Sequence, residues 1–115
     1  MRRPQAKPHF PPLATGRAID LMGKYVLIGL TYYDSRDRFI DRTQLHGRIT
    51  AADDETGFEV HLEGRQKGET YWLPPDLEAF HVARPGGYRL ESTGEVVTSP
   101  DLVSVWVVAE GSKPV

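Results

Sequence analysis

The sequence predicts an all-β fold: a small β-barrel, or a strongly bent antiparallel sheet, with an extra hairpin and strand at its C-terminal end. Turn-forming clusters recur about every ten residues, which is the spacing of short strands in barrels and sandwiches. No amphipathic helix longer than a turn or two can be traced between these clusters. The turn clusters lie at residues 34–37, 53–57, 65–68, 85–87, 92–94 and 99–101.

The chain has 115 residues, the length of one domain. Residues 1–17 combine prolines with basic residues, and we predict a flexible, proline-rich arm because proline lacks an amide donor and favours extended backbone. Residues 18–110 are predicted to form the single β-domain, and residues 111–115 a C-terminal tail. Within the domain, residues 24–33 are apolar on both faces, as expected of a central strand.

The next two turns predict a register for a three-stranded meander. If residues 53–56 form a four-residue loop, Ile49 lies opposite Val60; if residues 65–68 form another, Val60 lies opposite Leu73. Both loops then place apolar side chains on one face. The other face carries two predicted rows of side chains, Arg48 with His61 and Trp72, and His46 with Glu63 and Thr70.

The meander ends at Pro74 and Pro75, which cannot donate to a strand ladder. Residues 76–80 suit one helical or 3₁₀ turn, and a further strand follows at residues 80–83. Residues 88–97 are predicted to form a hairpin, and 102–108 a closing strand.

A meander that ends at prolines, followed by one helical turn and a further strand, resembles the SH3-like and Sm-like small barrels. The resemblance is one of architecture, covers about residues 24–84 and relies on the strands at residues 45–50 and 57–64. It implies a small barrel fold. The acidic aromatic groove of SH3 domains and the nucleotide-reading residues of the Sm-like RNA binders have no counterparts in this sequence.

Composition excludes several classes of function. The chain has no cysteine, which removes disulfides, thiolate zinc sites and thiol nucleophiles, and fits a reducing compartment. The first residues lack the apolar core of a signal peptide, and no membrane span is indicated, so we expect a cytoplasmic protein without a membrane partner. Between residues 53 and 78 the chain carries eight acidic residues against Arg65 and Lys67, which disfavours binding to a nucleic-acid duplex.

Candidates for chemistry are few. His46, His61 and Glu63 share the predicted outer face, and two imidazoles with a carboxylate are suitable ligands for a divalent metal. A flat sheet face supplies no second shell of hydrogen bonds, so we predict a solvated polar surface with a contact between His46 and Glu63 instead of a metal site. The serines form no nucleophile elbow and the glycines no phosphate loop. We therefore expect no catalytic residue, no cofactor and no enzymatic activity.

Arg48, His61 and Trp72 are the predicted binding residues. An exposed indole beside a guanidinium and an imidazole has the composition of an interaction hot spot. The leading hypothesis is a non-enzymatic module that binds a protein or peptide through the outer face of its meander. The sequence also allows a cover for Trp72 from within the chain, either residues 10–23 or the C-terminal hairpin, and it leaves homo-oligomerisation open.

Two other classes of function stay open at this point. The first is a single-stranded nucleic-acid-binding barrel, in which Trp72 would stack on bases and the basic arm would contact phosphates. Nucleic acid is the less favoured partner because Glu59 and Glu63 share the predicted face. The second is a metal-dependent activity at His46, His61 and Glu63.

Overall fold

The computed structural model describes residues 16–109, which contain eight β-strands, three 3₁₀ turns and no α-helix. The all-β prediction is confirmed; the predicted C-terminal tail and nearly all of the predicted arm lie outside the described residues. No helical segment in the described part is long and apolar enough to cross a membrane. The strands are β1 (Tyr25–Tyr33), β2 (Phe39–Asp53), β3 (Gly57–Leu62), β4 (Thr70–Leu73), β5 (Phe80–Val82), β6 (Gly87–Arg89), β7 (Val96–Thr98) and β8 (Leu102–Ala109), and the 3₁₀ turns are Ala18–Leu21, Gly64–Gln66 and Leu77–Ala79.

Six strands form one sheet in the order β4-β3-β2-β1-β8-β5, and β6 pairs with β7 in a separate hairpin. The sheet is mixed, because β8, which is distant from β1 in the sequence, lies beside β1 and runs parallel to it. The parallel β1–β8 pairing is an addition to the predicted bent antiparallel sheet. Within residues 16–109 the edge strands β4 and β5 do not pair with each other, so the sheet is bent but not closed into a barrel.

The bend closes the inner face of the sheet over the main core. Phe58 on β3 and Phe80 on β5 are both fully buried, and their ring centroids lie 4.6 Å apart. Three strands separate β3 from β5 in the sheet order, so this contact requires strong curvature. Trp106 on β8 packs edge-on against Phe80, with ring centroids 6.2 Å apart.

The β6–β7 hairpin covers part of the outer face. Its Val97, with Leu90 of the intervening loop, packs against Leu27 of β1 and Val103 of β8 in a second buried cluster. β1 is therefore buried on both sides, as predicted for the central strand. The expectation of a flat, solvated outer face is wrong over β1 and the adjoining part of β2.

The β2–β3 register agrees with the prediction at the centre of the strands, where Ile49 pairs with Val60. The loop holds three residues (54–56) instead of four, and an irregularity at Thr50 absorbs the extra residue of β2. Asp53 Oδ1 closes the turn by accepting hydrogen bonds from the backbone amides of residues 55 and 56, at 2.7 and 3.0 Å.

The β3–β4 register is shifted by two residues from the prediction. The 3₁₀ turn Gly64–Gln66 lengthens the connection, so that Val60 pairs with Tyr71 and not with Leu73. Since side chains alternate with a period of two, an even shift keeps every side chain on its predicted face. Trp72 consequently points outward.

Candidate functional site

Trp72 lies on the outer face of the short edge strand β4. Its neighbour Leu73 is buried in the main core, whereas 52% of Trp72 is exposed. The sequence allowed two segments to cover Trp72, residues 10–23 and the C-terminal hairpin. Within the described residues neither segment reaches it. Leu21 packs into the main core on the inner side of the sheet, and the β6–β7 hairpin covers β1 and β8.

The neighbours of Trp72 differ from the predicted row. Arg48 pairs with His61 as expected, but His61 pairs with Thr70, and Trp72 pairs with Glu59. The cause is the six-residue connection between Leu62 and Glu69, which the sequence reading shortened to four. His61 is now a diagonal neighbour of Trp72, about 7 Å away in a regular ladder. We call Glu59, His61, Thr70 and Trp72 the β3–β4 outer face.

Arg48 is held away from this face by contacts within the chain. Its Nη1 donates a hydrogen bond to the carbonyl oxygen of Gly23 at 2.7 Å, and its guanidinium carbon lies 5.3 Å from the centroid of the Tyr25 ring. The structure therefore brings His61 and Trp72 onto one surface but assigns Arg48 to the neighbouring region around Tyr25.

Acidic residues lie opposite Trp72 and beyond both ends of β4 in the sequence. Glu59 lies directly opposite Trp72, and its Oε1 accepts a hydrogen bond from the Thr50 hydroxyl at 3.0 Å. The exposed Glu69 precedes the strand, and the exposed Glu78 follows the proline pair that ends it. An uncovered indole with a carboxylate directly opposite favours a partner that combines positive charge with apolar or planar groups.

His46 is buried beneath the hairpin and is not part of the β3–β4 outer face. Its Nδ1 lies 2.7 Å from the Tyr25 hydroxyl, and its Nε2 lies 3.5 Å from Glu95 Oε1. Glu63 contacts His46 through the backbone, where its amide donates to the His46 carbonyl at 2.8 Å. His61 is exposed, and within residues 16–109 no three potential ligands are grouped to hold a metal. The structure does not bring the trio His46, His61 and Glu63 together.

The tautomer of a neutral His46 follows from its partners. Burial raises the pKa of Tyr25, and the charge of Glu63 raises it further while Arg48 opposes the shift, so the phenol stays protonated and can donate to Nδ1. The carboxylate of Glu95 faces the buried Nε2, which favours the tautomer with the imidazole proton on Nε2 and with Nδ1 accepting from Tyr25. At 3.5 Å this is an electrostatic contact and not a well-formed hydrogen bond.

A cleft of about 380 Å³ opens between the outer face and the base of the hairpin. Its lining includes Tyr25, His46, Arg48 and Asp101. Asp101 Oδ2 accepts a hydrogen bond from the Tyr25 amide at 2.8 Å. These polar groups already have partners within the chain, which is typical of a packing interface, here between the sheet and the hairpin.

Sequence reasoning missed Tyr25 and Glu95 as partners of His46. Tyr25 begins the central strand, and Glu95 lies more than 45 residues further along the chain than His46. No spacing in the sequence indicates that these residues contact His46. The one available signal was the pair of hydrophobic residues Leu90 and Val97, which indicates that the hairpin packs on an apolar surface.

Acid should weaken the attachment of the hairpin through Glu95. The Thr93 hydroxyl donates to Glu95 Oε1 at 2.9 Å and, as the largest cause, lowers the pKa of Glu95 below its ordinary value of 4.5; His46 lowers it further. A lowered carboxyl pKa stabilises the fold above pH 4.5 and loses that effect as the pH falls through the folded-state pKa. We expect Thr93→Val to raise the pKa of Glu95, measured by NMR titration of its carboxyl carbon.

The control for that titration is Thr98→Val, which removes a hydroxyl from β7. It should leave the Glu95 titration unchanged. Equal titration curves for the wild-type protein and Thr93→Val would contradict the assigned cause of the shift.

Comparison with known proteins identifies no matching family model, no similar curated protein and no similar solved structure. The resemblance to SH3-like and Sm-like barrels stays a prediction. Function has to be inferred from the geometry of this chain.

Proposed function

We propose that the protein is a non-enzymatic interaction module, and that its β3–β4 outer face binds a basic segment of another protein around Trp72. The observation that carries the proposal is the exposure of Trp72, at 52%, on a part of the sheet that the hairpin leaves uncovered. Large aromatic side chains supply much of the binding energy at protein interfaces because they bury a large area at a small entropic cost.

Charge favours a basic protein segment over nucleic acid. Glu59 lies directly opposite Trp72, with Glu69 and Glu78 beyond the two ends of the strand. Phosphates approaching the indole would meet the carboxylate of Glu59, whereas lysine or arginine side chains would be attracted to it. The metal hypothesis has less support, because the two ring nitrogens of His46 face Tyr25 and Glu95.

The test starts from a library of random linear peptides selected on the wild-type protein with counter-selection on Trp72→Ala. We expect selected peptides to be rich in lysine or arginine and to bind Trp72→Ala about 30- to 1,000-fold more weakly, the equivalent of about 2–4 kcal/mol. The free energy of unfolding should fall by less than about 1 kcal/mol, the size of one cross-strand pair. Calorimetry and urea denaturation measure the two quantities.

Phe39→Ala is the matched control, because Phe39 is an aromatic side chain on β2 that is 57% exposed. It should bind the selected peptides as the wild-type protein does. Failure to enrich any peptide that distinguishes wild-type protein from Trp72→Ala would overturn the proposal. So would a saturable complex with single-stranded oligonucleotides that depends on Trp72 and weakens steeply with salt.

A further inference from the structure

β4 is one of the two edge strands of the six-stranded sheet. Among the described strands it pairs only with β3, through four residue pairs. An unpaired edge presents backbone amides and carbonyls in the arrangement that accepts another strand. The residue that marks the proposed binding surface, Trp72, lies on this strand.

The hydrogen-bond pattern identifies which residues of β4 face the open edge. The Leu62 amide donates to the Glu69 carbonyl at 2.9 Å, so this opposed pair is a hydrogen-bonded one. In an antiparallel ladder such pairs alternate with pairs whose backbone groups point away from each other. Tyr71 and Leu73 therefore bond to β3, while Thr70 and Trp72 direct their amides and carbonyls toward the open edge.

A segment added at this edge would have a defined side-chain pattern. Residues directly opposite Thr70 and Trp72 would project onto the β3–β4 outer face, next to the indole and near Glu59, where basic side chains fit. The residue between them would project to the other side, beside the partly buried Tyr71. The added strand is short, since Pro74 and Pro75 have no amide to extend the ladder.

A second copy of this chain fits the edge less well than a basic segment. Pairing of two β4 strands about a two-fold axis would bring two copies of Glu59, Glu69 and Glu78 toward one interface. Like charges in one interface oppose association, whereas opposite charges favour it. The acidic surroundings of the edge thus favour a partner of a different chain with positive charge.

We propose that the basic segment adds to β4 as a new edge strand, with basic residues opposite Thr70 and Trp72. This inference rests on the proposed function and specifies its mode of recognition. It differs from docking of a folded partner onto the indole, because it requires the outward backbone amide of Thr70.

The test compares Thr70→Pro with Thr70→Val, using a peptide selected on the wild-type protein. Proline removes the outward amide at the first residue of the strand, a position at which sheets tolerate proline, and valine keeps the amide with a similar shape. We expect Thr70→Pro to weaken binding at least tenfold and Thr70→Val to change it less than threefold. Circular dichroism checks that both variants fold.

Hydrogen exchange of the wild-type protein gives a second measurement that needs no variant. The amides of Thr70 and Trp72 should exchange rapidly in the free protein and slow at least tenfold with the peptide bound. If neither amide slows and Thr70→Pro binds normally, strand addition is wrong, while loss of binding in Trp72→Ala would still support the proposed function. Slow exchange without peptide at all protein concentrations would show that the chain itself covers the edge. Slow exchange only at high protein concentration would show that a second copy covers it. Either result would overturn the inference.

Discussion

Replacing Phe80 with alanine is expected to lower the free energy of unfolding by about 3–5 kcal/mol, the usual cost of deleting a buried aromatic side chain. The ring is 1% exposed and packs between Phe58 and Trp106. It lies on the edge strand β5, yet it contacts β3 across the core. Its loss removes both burial and the contact that draws the two halves of the bent sheet together. Urea denaturation followed by near-UV circular dichroism measures the change.

Phe39→Ala is the control for this substitution too, because it deletes the same side chain from a site that is 57% exposed. Its effect should be about 0.5 kcal/mol or less. Phe80→Leu should lie between the two variants, since leucine refills part of the cavity. If Phe80→Ala were no more destabilising than Phe39→Ala, the bend of the sheet would not depend on this contact.

The faces of the strands could be predicted from the sequence because side-chain alternation is insensitive to errors of two residues. The register error at Tyr71 moved every pairing on β4 without exchanging its faces. The β2–β3 loop is one residue shorter than predicted, and the irregularity at Thr50 in β2 compensates for the difference. Ile49 therefore still pairs with Val60. The outward position of Trp72 is confirmed for this reason.

The arrangement of distant segments could not be predicted in the same way. The parallel pairing of β8 with β1 joins segments separated by most of the domain, and local patterns contain no information about such a crossover. The same holds for the hairpin, which could have covered either face. Because the hairpin covers β1, His46 is buried in contact with Tyr25 and Glu95. His61 lies further from the hairpin and is exposed.

The candidate site shows both effects. Trp72 and His61 were predicted on one surface and occupy it, because their faces follow from alternation. Their immediate neighbours were not predicted, because the length of the connection after Leu62 depends on the 3₁₀ turn Gly64–Gln66. Glu59 therefore replaces His61 beside the indole, and this changes the expected partner: the carboxylate adds a requirement for positive charge.

Gly47→Ala is expected to destabilise the protein by about 3 kcal/mol, the upper end of the usual cost of overpacking. Gly47 lies on β2 opposite Leu62, and an added Cβ would collide with the carbonyl oxygen of His61 and lie 2.9 Å from Leu62 Cα. These are backbone atoms, so no side-chain rotation can relieve the collision and the two strands must separate.

The matched control is Gly29→Ala on the neighbouring strand β1, where an added Cβ has no atom within 4 Å. That variant should be neutral or more stable by up to about 1 kcal/mol, because alanine restricts the unfolded chain more than glycine does. Urea denaturation of the two variants measures the difference, and equal effects would contradict the close approach of β2 and β3. Since β4 is attached to the sheet only through β3 in the described structure, separation of β3 from β2 would also displace Glu59 and Trp72. Gly47→Ala should therefore weaken binding of the selected peptides even under conditions in which it remains folded, whereas Gly29→Ala should not.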